Sequence, residues 1–362
     1  MKAPFPKRPT QRDIANACGV SQMAVSLALR GSKKISKTVR LRILKLAKKL
    51  NWQPDPALSA LIAYRCRNAG TRDPSTIAWL TNWPTRGGWR NDHPVYVAYF
   101  NGAAARAASL GYKLEEFWLD EPGMTPARMS RILHTRGITG VLLPPQPRAH
   151  SHLRLDWEKF ATVTFGFTLT KPSLHVATNH HFRSSIIALR KLRSLGYRRV
   201  GIVLDQRYDA RVGYSWMAGC LMEQRRYAPG EIVPIVSLKQ FSKEGLDEYL
   251  RKHQPDALLT NFWSVDLWLR ELRVTVPRKL GLAYLSVTDR KPAFSGINEN
   301  SHAIGEAALD LLATMIQRNE FGIPAIPRRI MIEGYWVPGK TVRRVNKPAP
   351  ELAEAPDSLQ LA

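Results

Sequence analysis

In the stretch TQRDIANACGVSQMAVSLALRGSKKISKTVRLRILKLAKKL, residues 10–50, a handful of side chains suits one kind of chemistry. The amide of Gln22 can pair bidentately with the edge of an adenine, and the hydroxyls of Ser21 and Ser26 can bond phosphate oxygens. Met23 and Leu27 offer only apolar contact, which suits the methyl group of thymine. This is the chemistry of reading base edges in the major groove of duplex DNA. Bond-making chemistry finds no comparable set. Residues 334–341, GYWVPGKT, match G-x-x-x-x-G-K-T literally, but a phosphate loop must open a helix, and the following VRRVNKPAP is interrupted by prolines. Strand-end packing of Tyr335, Trp336 and Val337 is the expected role. His180 and His181 are adjacent and so point apart, and neither H-E-x-x-H nor G-x-S-x-G occurs. No catalytic residue, metal or cofactor is expected, and the chain does not read as an enzyme.

A reading face needs a frame, and three short helices supply it. Thr10 can cap the first helix with Asp13 in capping-box position, Ile14, Ala15 and Cys18 fall on one face, and Gly19 ends it. Ser21 can cap the second, whose inner face is Val25, Ala28 and Leu29. Ser36 opens the third, with Val39, Ile43, Ala47 and Leu50 at helical spacing. Two helices joined by a tight Gly-containing turn form a helix-turn-helix. The charge agrees: residues 1–75 hold 16 Lys and Arg against 3 Asp and Glu, within a chain of net charge +25. Such a concentration suits phosphate neutralisation. A basic balance also suits RNA or an anionic membrane, but no aromatic RNP-type strand and no basic amphipathic helix supports either.

With 362 residues and 44% hydrophobic content, the chain can bury a large core in two or three domains. Cys18, Cys66 and Cys220 have no C-x-x-C spacing, which suits a reducing cytosol. No secretory signal and no long apolar stretch is visible, so a cytoplasmic protein is expected. Residues 1–9 read as a disordered arm and 10–54 as the DNA-binding domain. A proline break, Gln53-Pro54-Asp55-Pro56, then leads into a short helix and linker over 55–75, with Leu58 and Leu61 on an apolar face. From Thr76 strands and helices alternate, which implies parallel sheets with helices on both faces. The units at Leu110-Gly111-Tyr112 and Leu195-Gly196-Tyr197 point to two similar lobes. A small ligand belongs in the crevice beyond the C-terminal strand ends. The candidates there are Asn82 and Trp83 after the first strand, Arg211 opening a helix, Asn261 after DALLTN, and Glu299. RRIMIEGYWV reads as one final strand, and the Pro/Ala-rich 346–362 as a disordered tail without a leucine heptad.

DIANACGVSQMAVSLAL resembles the D-[VI]-A-x-x-A-G-V-S-x-x-T-V-S-x-x-L signature of LacI-type transcriptional regulators, and LNWQPDPALSAL resembles their hinge. The resemblance extends more weakly to about residue 343. It implies an all-α helix-turn-helix headpiece with a hinge helix, then a two-lobed α/β core of the periplasmic-binding-protein-like type I over 76–345. Lobe one would hold 76–173 and 295–325, and lobe two 174–294 and 326–345. It further implies a homodimer that binds a pseudo-palindromic operator, most naturally as a repressor, tuned by an effector between the lobes. The DNA-contacting set would be Thr10, Ser21, Gln22, Met23, Ala24, Ser26, Leu27, Arg30, Leu58 and Leu61, with Leu61 as a minor-groove wedge. Arg211 matches the family's effector-binding Arg, and Asn261 the Asn of its N-D pair. Departures are Ala24 and Val39 for Thr, Asp55-Pro56 for the hinge Asn, Phe262 for the Asp of that pair, and Leu285-Ser286 for its sugar-gripping Asp. Loss of both acids turns the expected effector from a neutral sugar to a sugar acid or sugar phosphate. The rival from another class is a transporter's solute-binding protein, which would share the core but lack residues 10–64.

Overall fold

A computed structural model of the chain describes residues 9–29, 35–50, 75–92, 94–239, 241–288 and 293–345, without the side chains of Ser26 and Asp92. The expected arm up to residue 8, Arg30, the hinge with Leu58 and Leu61, and the tail lie outside the described residues. Headpiece and α/β core are separate compact units.

In the headpiece, α1 (Gln11–Cys18) starts with the expected reciprocal cap. Thr10 Oγ1 accepts from the Asp13 amide, and the Asp13 carboxylate accepts from the Thr10 amide. Gly19 ends the helix at φ +62°, a left-handed conformation that an L side chain rarely adopts. α2 (Gln22–Leu29) and α3 (Lys37–Lys49) follow, the latter capped by Ser36. Ile14, Val25 and Ile43 are fully buried between the three helices, with Ala15, Cys18, Ala28 and Ala47 around them. Burying each of the three branched side chains stabilises by about 1.5–3 kcal/mol.

The core begins with β1 (Ser75–Thr81), α4 (Gly88–Asp92), α5 (Pro94–Ser109), β2 (Tyr112–Trp118), α6 (Pro126–Thr135) and β3 (Gly140–Leu143). Next come β4 (Ser151–His152), β5 (Ala161–Phe165), β6 (Leu169–Lys171), β7 (His175–Asn179), α7 (His181–Ser194), β8 (Val200–Asp205) and α8 (Gln206–Arg211). Then follow α9 (Ser215–Gln224), β9 (Val236–Leu238), α10 (Lys243–His253), β10 (Ala257–Thr260), α11 (Ser264–Glu271), β11 (Gly281–Val287) and β12 (Ser295–Asn298). The series ends with α12 (Ser301–Arg318), β13 (Arg329–Ile332) and β14 (Tyr335–Val337). The first sheet is ordered β13-β7-β5-β3-β1-β2 and is parallel throughout. The second is ordered β14-β12-β11-β10-β8-β9 and is parallel except for the β12/β14 pair. Every residue of β5 and β11 is buried, as parallel strands covered on both faces require.

The lobe boundaries fall later than the sequence suggests. β7 belongs to the first sheet, so the chain first changes lobe near residue 180, not 173. β12 still belongs to the second sheet, so the return comes near 299, not 295. The expected single final strand is two strands in different sheets, with the last crossing near Gly334, not 326. The polar residues His175, Thr178 and Asn179 hid β7 beside the helix that follows it. Gly334 divides the last run because a Cβ there would meet Ile297, Ser184 and the Asn298 carbonyl at 2.8–3.0 Å.

The three crossings meet at one side chain. Asn179 Nδ2 donates to the Glu299 carbonyl at 3.1 Å and to the Ile332 carbonyl at 3.0 Å. Asn179 Oδ1 accepts from Ser184 Oγ at 2.7 Å, and the His180 amide donates to the Ile332 carbonyl. Asn179→Ala strands the buried Glu299 carbonyl and leaves Ile332 with the His180 amide alone, and should cost about 1–3 kcal/mol. Asn179→Asp, an acceptor facing two acceptors, should cost more. Urea unfolding of the full chain measures both; an unchanged midpoint for Asn179→Ala would contradict the tie.

Candidate functional site

In the headpiece, Ser21, Gln22 and Met23 stand exposed at the start of α2, with Met23 at 73% exposure. Ser21 Oγ accepts from the Ala24 amide at 3.2 Å, so it caps the helix while its own O–H remains able to donate. Ala24 and Leu27 are half-buried, and the Thr10 hydroxyl is engaged with Asp13. The Ser26 side chain and Arg30 lie outside the described residues. From α3, Lys37, Arg42, Lys45, Lys48 and Lys49 are exposed, and Arg42 donates to the Cys18 carbonyl at 2.9 Å. A face of one amide, one hydroxyl and one thioether beside cations can bond base edges and phosphates.

In the core, the crevice between the lobes is narrow where Arg211 crosses it and wider, ≈ 460 Å³, between α5 and the ends of β11 and β12. In the narrow part a cavity of ≈ 50 Å³ remains, walled by Tyr96 and Tyr99 of lobe one and by His181, Arg211, Trp216 and Glu299. That admits a few waters, whereas ligand sites run to several hundred Å³. Arg211 spans the crevice. Its guanidinium donates to the carbonyls of Pro147 and Gln146 at 2.9 Å each, and to the Tyr96 hydroxyl at 2.7 Å. All three acceptors belong to lobe one. Arg211 does not open a helix as expected; it closes α8, because Gly213 and Tyr214 both take positive φ before α9 begins.

Glu299 lies at the crevice floor and is 4% exposed. Burial pushes its carboxyl up to about 7, against the neighbouring hydroxyls of Ser286 and Tyr99, which favour the charged form. His181 Nε2 lies 3.9 Å away. Burial, and after it the neighbouring His180, brings the His181 imidazole down to about 3. At neutral pH the pair is therefore an imidazole facing a half-protonated acid, not an ion pair.

Of the five effector positions predicted from sequence, the cavity unites only Arg211 and Glu299. Asn261 holds the backbone of Asp205 instead. Its Oδ1 accepts from the Asp205 amide at 2.7 Å and its Nδ2 donates to the Asp205 carbonyl at 3.2 Å. Trp83 is buried and donates from Nε1 to the Pro145 carbonyl at 3.2 Å. Asn82 is half-buried with Oδ1 unpartnered, outside the cavity wall. The sequence did not point to Tyr96, Tyr99, His181 or Trp216. The one available signal was that of two adjacent histidines pointing apart, one must face inward.

Residues 10–55 match the family model described as "Bacterial regulatory proteins, lacI family". The headpiece is thus a lacI-family helix-turn-helix domain. The "NTD biosynthesis operon regulator NtdR" of Bacillus subtilis (strain 168) is 23% identical over 208 residues, covering 56% of this chain. The match likewise spans 56% of that relative, little more than half its length. Among solved structures, a transcriptional regulator CelR–cellobiose complex superposes with TM-score 0.54 at 16% identity, covering 92% of this chain and 100% of that one. The lac repressor dimer bound to operator and the anti-inducer ONPF gives 0.53 at 15% identity, covering 93% and 100%. A LacI family regulator from Enterococcus faecium with bound ribose gives 0.54 at 14%, covering 75% and 100%. The likeness establishes the fold: a helical headpiece followed by a two-lobed core of the periplasmic-binding-protein-like type I.

The buried pair has a pH signature. Glu299 keeps its proton in the folded chain up to about 7, against 4.5 when unfolded, so its contribution is present below 4.5 and lost as pH rises through 7. His181 acts oppositely, its contribution being lost as pH falls from 6.5 toward 3. Where the two ranges overlap the slopes cancel. Glu299→Gln removes one of them, so its stability relative to wild type should rise by about 1.4 kcal/mol per pH unit between roughly pH 5 and 7. Urea titrations at three pH values test this; a constant difference between the two proteins would refute it.

Proposed function

We propose that this chain is a sequence-specific regulator of transcription that binds double-stranded DNA as a homodimer in the cytoplasm and represses. The observation that carries the reading is the exposed start of α2, where Ser21, Gln22 and Met23 face solvent on a lacI-family helix-turn-helix within a strongly basic segment. A recognition helix placed this way enters the major groove with its N-terminal residues on base edges. The solute-binding alternative shares the core but leaves the headpiece without a role. Among the described residues no helix is long and apolar enough to cross a membrane, and no cluster of His, Cys, Asp and Glu could hold a metal.

The core is proposed to tune DNA affinity through a small molecule in the crevice. A sugar acid or sugar phosphate remains the reading for its Arg211 end, with one change of role. Since Arg211 already bonds Gln146, Pro147 and Tyr96, an effector reaches it only by displacing lobe-one acceptors. Arg211 is then a latch whose release the ligand compensates, and a ligand that favours one lobe arrangement shifts DNA affinity by a coupling of typically ~1–3 kcal/mol.

Affinity for a duplex should fall steeply with salt, by roughly a thousandfold between about 50 and 200 mM if some six phosphates are neutralised. Fluorescence anisotropy reads this; a flat slope, or equal affinity for single-stranded RNA, would sink the assignment. Arg211→Ala should abolish any ligand effect on DNA affinity and, by removing the latch, should itself shift affinity without ligand in the direction the ligand shifts it. A variant that still responds would remove the latch from the mechanism.

A further inference from the structure

The crevice holds one acid and one base, and in neither case does a fixed opposite charge face it. Arg211 gives its hydrogen bonds to two carbonyls and a phenol, all neutral acceptors. Glu299 is the one carboxyl in the cavity wall among the described residues. It is faced by the Tyr99 hydroxyl from α5, Ser286 at the end of β11, and the His181 ring from α7, which His180 adjoins. Burial leaves that ring neutral.

The same wall carries polar atoms with no protein partner: Thr178 Oγ1, His181 Nδ1 and Trp216 Nε1, on residues 1%, 4% and 6% exposed. Buried polar groups are nearly always hydrogen-bonded, so three orphans on one small cavity mark a place built to meet a polar guest. Water satisfies hydroxyls and ring nitrogens but supplies no counter-charge. A buried acid without a cation instead keeps its proton. A cation is the partner that its neighbours do not supply to Glu299, and the aromatic side chains of Tyr96, Tyr99, Tyr208 and Trp216 in the same wall suit an ammonium group.

We infer that the effector of the crevice carries a basic nitrogen whose ammonium pairs with Glu299, while its oxygen-rich or anionic end takes over the Arg211 guanidinium. This rests on the reading of the crevice as the effector site and specifies its ligand as amine-bearing. The closed cavity is too small for such a molecule, so it binds as the lobes part and Arg211 leaves Gln146 and Pro147. An ammonium stabilises the Glu299 carboxylate, so binding releases the proton that Glu299 holds in the free protein. Affinity then rises with pH between about 6 and 8.

The test uses the full chain and four probes of one carbon skeleton: sorbitol, gluconate, and their amine-bearing counterparts glucamine and glucosaminate. In calorimetry each amine should bind about tenfold or more tighter than its hydroxyl counterpart, the fold-change of one charge-assisted hydrogen bond. Titration in two buffers of different ionisation enthalpy should show proton release for the amines alone. Glu299→Gln, checked for folding by its unfolding midpoint, should lose the amine preference and the proton release while keeping duplex binding. Equal binding within each pair, or an unchanged preference in Glu299→Gln, would overturn the inference. Binding of sorbitol or gluconate alone would overturn it while leaving the crevice reading standing. No binding by any of the four would overturn both.

Discussion

The core turns on a side-chain amide, because Asn179 is where all three crossings between the lobes are held to one another. Its two N–H donors meet the Glu299 and Ile332 carbonyls, the residues at which the second and third crossings leave their strands. Removing a buried amide from such carbonyls costs free energy, so the tie holds the crossings together. A hinge between the lobes belongs at the residues just beyond the tie, near 180, 299–300 and 333–334.

Opposite this hinge lies the latch. Arg211 bridges to three lobe-one acceptors, and the aromatic side chains between leave space for a few waters. Hinge and latch sit on the same crevice, and Glu299 joins them. Its carbonyl is held by Asn179, while its carboxyl faces the cavity. A change of charge on that carboxyl thus occurs at the point about which the lobes turn. Opening the crevice lets water reach Glu299 and lowers the cost of its charge, so lobe angle and protonation state are linked.

Much of this was legible in the chain. The headpiece could be read because local rules fix it: the Thr10–Asp13 cap, Gly19, the Ser36 cap and the Ile14, Val25 and Ile43 periodicity act within a few residues. The alternation of strands and helices fixed the core's class for the same reason. Lobe membership was not legible, since it depends on which sheet a strand joins. β7 carries His, Thr and Asn in a buried setting, and β13 and β14 read as one strand until Gly334 is seen against Ile297. The crevice was half legible. Strand-end logic located Arg211 and Glu299, but Asn261 has the right address and a different role, holding Asp205. That Tyr96, Tyr99 and Trp216 line the cavity was not legible, because facing a cavity or a neighbouring helix is decided by tertiary contacts. The literal G-x-x-x-x-G-K-T match shows the converse. Thr341 Oγ1 accepts from the Ser295 amide, Gly339 donates to Ser295 Oγ, and residues 342–345 are not helical.

DNA reading by the headpiece, with the core as its regulator, is probed most directly by selecting duplexes from a random pool with the full-length protein and sequencing those retained. The expected result is one enriched, two-fold pseudo-symmetric site, with A·T pairs where Gln22 and Met23 of each subunit meet the major groove. Enrichment of no motif, or of an asymmetric site that is all G·C at those positions, would contradict it.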